Sequence, residues 1–134
     1  MQDKRYYSVS YDERNYPEIR LLRNMAGGLI AYARWEVLKQ LLYSFDGCIA
    51  LDDQNVVPLV MSELEFETQE ELTRYLDACR ACKLIDREAY SRNMVVSPEV
   101  IETLEYLQNK SEAGKASAEA RRKKNRLRIV LSAC

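Results

Sequence analysis

Between Gly28 and Phe45, apolar side chains return at helical intervals along two lines. Leu29, Ala33, Val37 and Leu41 form one; Ala31, Trp35, Leu38, Leu42 and Phe45 form the other, and Ile30 and Tyr32 widen the face. A helix apolar over more than half its circumference is expected between the layers of a small domain. Arg34, Glu36, Lys39 and Gln40 mark the remaining wet sector. Gly27-Gly28 breaks the chain before this helix, and Asp46-Gly47 offers a left-handed stop after it.

The same pattern places the other elements around it. Tyr6 to Tyr11 alternates polar with aromatic or branched residues, as a short strand or an extended arm would. Pro17 permits a helix start, with Ile19, Leu22, Met25 and Ala26 on one side. Cys48 to Leu51 is short and branched enough to be a strand, and Asp52 or Asp53 can cap a helix reaching Leu64. Thr68-Gln69-Glu70-Glu71 has the form of a capping box ahead of a helix to Lys83. Leu84-Ile85-Asp86 and Met94-Val95-Val96 then read as strands joined by the polar loop Arg87–Asn93, and Ser97-Pro98-Glu99 restarts a helix. Helix, strand, helix, helix, strand, loop, strand is the order of a winged helix-turn-helix. The expected class is therefore mainly α with a small β-hairpin as the wing.

With 134 residues, 47% of them apolar, the chain supports one core rather than two. The division expected is a winged-helix domain over 1–109 and a basic tail or linker over 110–134. Net charge is −1, yet Lys110 to Arg128 holds eight bases against two acids, a local +6 that leaves −7 for the first 109 residues. Affinity for polyanions is thus concentrated at the C-terminal end. No apolar run approaches the roughly 20 residues a spanning helix needs, and four cysteines in so apolar a chain point to a reduced, cytoplasmic protein.

Histidine is absent, which removes histidine-based acid, base and triad mechanisms and the commonest metal ligand. Glu63, Glu65, Glu67, Glu70 and Glu71 cluster where solvated helix caps are expected, so no catalytic pair is assigned and the chain reads as non-enzymatic. Cys79 and Cys82, with Cys48 and Cys134, could form a four-thiolate zinc site. The stronger reading makes Cys79 and Cys82 small hydrophobes, in phase with Leu72, Tyr75 and Leu76. No metal and no cofactor are expected.

Three surfaces remain as binding candidates. The outward positions of the third helix, Gln69, Thr73, Arg74, Asp77 and Arg80, follow a start rich in carboxylates that phosphates would repel. Protein contact suits that face better than base reading. In the wing, Arg87 and Arg92 flank Tyr90, a combination suited to phosphate contact with a ring free to stack. A plainer alternative packs Tyr90 back on the domain. The strongest electrostatic candidates are Lys115, Arg121, Arg122, Lys123 and Lys124, in a segment without the apolar spacing needed to dock as a helix. Here the plainer alternative is a solubilising end or a linker.

Four stretches carry a resemblance: Gly28 to Leu38, Gly47 to Asp52, Cys82 to Asp86, and Ser111 to Ala118. Together they resemble the N-terminal domain of phage and prophage replisome organisers, relatives of the primosomal protein DnaD, over about Tyr6 to Lys124. The resemblance implies a winged-helix domain of replication initiation that self-associates and contacts DNA without catalysis. It implies as partners DNA, single- or double-stranded, further copies of the chain, and replication proteins such as a helicase or helicase loader. Many members continue into a second helical domain, whereas this sequence stops at Cys134. The rival functions are a winged-helix transcription regulator and an oligomerisation or adaptor module that touches no nucleic acid.

Overall fold

The computed structural model describes residues 12–111, and the side chains of residues 12–109. A 3-10 turn, Glu13–Asn15, leads into α1 (Pro17–Ala26), where Pro17 occupies the first turn because its missing N–H has no partner there to lose. Gly27 and Gly28 both take positive φ and reverse the chain into α2 (Leu29–Ser44). Then come β1 (Ile49–Ala50), α3 (Val57–Glu63), α4 (Gln69–Ala81), α5 (Arg87–Ser91), β2 (Met94–Val95) and α6 (Pro98–Ser111).

The result is mainly helical with one small two-stranded antiparallel sheet. Its strands are β1 and β2, in the register Ile49 to Val95 and Ala50 to Met94. The strand expected at Leu84-Ile85-Asp86 is not formed. Asp86 instead caps α5, its carboxylate accepting from Ala89 N–H at 2.8 Å, and this turns the expected polar loop into a short helix. One bond still ties the two ends of that loop, from Asp86 N–H to the Val96 carbonyl at 2.7 Å.

Helix α2 buries only one of its two apolar lines. Ala31, Trp35, Leu38 and Leu42 are fully enclosed against Ile19, Leu22, Ile49, Val60, Leu76 and Val100. Leu29 and Ala33 of the other line are exposed, and Val37 and Leu41 are half-buried, so the helix flanks the core rather than being sheathed by it. The correction extends to the wet sector. Lys39 is 1% exposed, enclosed with Glu13, while Glu36 is half-buried and Arg34 points to the α3–α4 turn.

Helix α3 starts at Val57 rather than at Asp53, because the Asp53 carboxylate accepts from Asn55 N–H at 2.9 Å and folds the approach into a turn. Helix α6 runs two residues past the expected boundary at Asn109. Among the described residues, no helix is long and apolar enough to cross a membrane.

Candidate nucleic-acid interface

Helices α3 and α4 meet at a tight turn braced by α2. Glu65 takes positive φ there, and the Arg34 side chain reaches across from α2 to donate to the Leu64 carbonyl at 2.7 Å and the Glu65 carbonyl at 3.2 Å. The same guanidinium stacks 4.0 Å above the Phe66 ring, which in turn packs against Tyr75. The Tyr75 hydroxyl donates to the Ala31 carbonyl at 2.8 Å, a buried bond that fixes α4 on α2. Orientation of α4 therefore rests on two contacts with α2, from Arg34 to the turn ahead of the helix and from the Ala31 carbonyl to Tyr75 within it.

At the start of α4 the capping box is complete. Thr68 Oγ1 accepts from Glu71 N–H at 3.2 Å, while Glu71 Oε1 accepts from Glu67 N–H and Thr68 N–H. Those backbone bonds hold the Glu71 carboxyl below the usual range. The helix entrance thus presents a stable anion with Glu67 and Glu70 beside it, all exposed. Gln69, Thr73, Arg74 and Arg80 share the solvent face, and Asp77 is half-buried at its edge.

Asp77 is occupied by α5. The Tyr90 hydroxyl donates to Asp77 Oδ1 at 2.7 Å, and the Arg80 guanidinium lies 5.8 Å from the Tyr90 ring. Burial and then the Asp77 bond push the Tyr90 phenol well above its ordinary value. Tyr90 is consequently a strut between α4 and α5 and not a free stacking ring, the plainer of the two readings of that segment. Arg92 pairs with Glu88 one turn earlier at 2.9 Å, and Arg87 is exposed. Lys115, Arg121, Arg122, Lys123 and Lys124 lie outside the described residues.

Cys79 and Cys82 are free thiols on the inner side of α4. Burial raises both, and Cys82 Sγ lies 3.8 Å from Met25 Sδ of α1, so they act as packing groups. Cys48 sits in a separate cluster with Ala89, Met94, Val96 and Ile101 and is disulfide-bonded, which corrects the expectation that all the cysteines are reduced. Among the described residues no group of three or more cysteines and carboxylates could hold a metal ion.

Periodicity gave no sign of a charged cluster behind α2. Lys39 Nζ lies 2.5 Å from Glu13 Oε2, 3.3 Å from Glu36 Oε2 and 3.4 Å from Glu99 Oε2. Tyr32 donates to Glu13 Oε1 at 3.3 Å, and its phenol is pushed up to about 12 by burial and the nearby carboxylates. Burial alone would lower Lys39, but the Glu13 hydrogen bond and the three carboxylate charges outweigh it and raise the ammonium instead. The cluster joins the 3-10 turn, α2 and the start of α6 through one cation. The one local signal was the pairing of Glu36 with Lys39 at i,i+3; the other partners are distant in sequence.

No family model, no curated protein and no solved structure matches this chain.

Proposed function

We propose that this chain is a non-catalytic replication initiation domain of the replisome organiser type. It has a winged-helix core that associates with itself or with replication proteins, and it binds DNA through the basic segment beyond α6. The observation that carries the reading is the α3–turn–α4 pair, locked to α2 by Arg34 and Tyr75 and followed by a strand that returns to pair with β1. A helix-turn-helix with a strand pairing back beside it is the framework of that fold. In this reading α5 occupies the place of the wing.

The electrostatics divide the labour. Glu67, Glu70 and Glu71 at the α4 entrance oppose insertion of that end into a groove lined by phosphates. The α4 face of Gln69, Thr73, Arg74 and Arg80 is therefore assigned to protein contact, with Arg87 and Arg92 as flanking phosphate contacts. Leu21, Met25, Leu29 and Ile30, all exposed on α1 and the first turn of α2, support self-association. In a cytoplasmic setting such a domain would gather copies on DNA and leave sequence choice to a partner such as a helicase loader.

Mass measurement in solution, combined with gel shifts on unrelated duplex and single-stranded sequences, tests this reading. Multimers that shift every sequence with similar affinity support it. A monomer or dimer that protects one defined operator would favour the transcription regulator, and multimers with no shift at low salt would favour the adaptor.

A further inference from the structure

A groove of about 480 Å³ is bounded by α1, the link between α4 and α5, and the first half of α6. Five carboxylates line it, from Glu18, Asp86, Glu99, Glu102 and Glu105, against the single base Lys83. Two of the five have other duties: Asp86 caps α5, and Glu99 lies within reach of Lys39. Glu18, Glu102 and Glu105 form no salt bridge among the described residues. Leu84, Val96 and Ile101 make the rest of the lining apolar. A narrow acidic wall over an apolar lining matches the chemistry of arginine and lysine, whose aliphatic stems cover apolar surface while their heads meet carboxylates.

We infer that this groove receives the chain's own basic segment, Arg121 to Arg128. That segment holds six bases and no acid, so its charge is the complement of the lining. It is also within reach. Nine residues of helix from Glu102 to Ser111 span about 13 Å, whereas the ten-residue connection from Ser111 to Arg121 extends up to roughly 35 Å. If the DNA reading above holds, on which this consequence rests, groove and DNA compete for the same charges. The unbound chain then shields its polyanion-binding segment against its own acidic face, and engagement of DNA uncovers the groove.

Zero-length carbodiimide cross-linking of the full chain, mixed from isotopically light and heavy copies at low salt, tests the docking. Lys123 or Lys124 becomes joined to Glu18, Glu102 or Glu105 within one copy, and duplex DNA suppresses those links. Lysines joined only to carboxylates elsewhere, or to the groove of another copy, overturn the assignment. Links that form but resist DNA leave the docking standing and remove the DNA reading. As a second arm, Glu102→Gln with Glu105→Gln raises DNA affinity at low salt about two- to tenfold, the scale of two exposed ion pairs. Unchanged affinity overturns the competition.

Discussion

The Lys39 ammonium and the Glu13 carboxylate meet at 2.5 Å with both side chains withdrawn from water, although 26 residues separate them in sequence. The contact ties the 3-10 turn at the start of the described chain to the middle of α2. Through Glu36 and Glu99 the same cation also reaches along α2 and to the head of α6.

Removing that cation strands its partners. Lys39→Met keeps most of the volume but leaves Glu13 buried without a counter-charge, which costs about 3–5 kcal/mol. Adding Glu13→Gln to it recovers a large part of the loss, because the stranded charge goes with it. Urea unfolding of the two single variants and the double variant checks this; strictly additive losses would show that the pair is not coupled.

The cluster also sets a dependence on pH, with two carboxyls acting in opposite directions. Burial alone would raise Glu13, but its hydrogen bonds to Glu36 and Lys39 outweigh that and leave it below its ordinary 4.5. Its stabilising effect is complete above 4.5 and is lost as pH falls through the lowered value. Glu36 is raised, by burial first and by Glu13 second. Its contribution is complete below 4.5 and is lost as pH climbs through the raised value. Glu36→Gln should therefore flatten the stability profile on the side above 4.5, and Glu13→Gln the limb below it. Thermal melts across pH 3 to 8, a range of roughly one and a half units below to three and a half above the ordinary carboxylate value, provide the readout.

Tyr90 separates a structural part from a binding one. Tyr90→Phe removes the bond to Asp77 and should cost about 1–3 kcal/mol, as a hydrogen bond to a charged acceptor does. The ring is packed toward α4, so affinity for single-stranded DNA should stay level. A melt paired with a gel shift decides the matter; a large loss of affinity in a well-folded variant would mean that the ring stacks on bases.

What could be read from the sequence was local, and what could not was distant. The capping box of Thr68 and Glu71 and the proline starts at Pro17 and Pro98 involve residues within one turn, so their spacing announces them. Lys39 gave no such warning, since Glu13 and Glu99 lie 26 and 60 residues away, and they meet it only because the 3-10 turn packs with α1 on α2 and α6 packs on α2. The two apolar lines of α2 were legible as apolar. Which line is covered depends on where α1, α4 and α6 sit, and periodicity does not encode that. The missed helix α5 did carry a signal, an aspartate three residues ahead of the N–H it caps. Reading Asp86 as the last residue of a strand passed over that signal. The basic residues assigned to DNA are exposed or beyond the described chain, so charge alone speaks for them.

The account stands or falls on attraction between phosphate and the segment beyond α6. Its most direct measure is the affinity of the full chain for duplex DNA over a series of salt concentrations. With six to eight contacts, log affinity should fall against log salt with a slope of roughly −5 to −7. Alanine at Arg121, Arg122, Lys123 and Lys124 together should weaken binding to all sequences and flatten that slope by about 3 to 4. An unchanged slope and affinity in that variant would contradict the account.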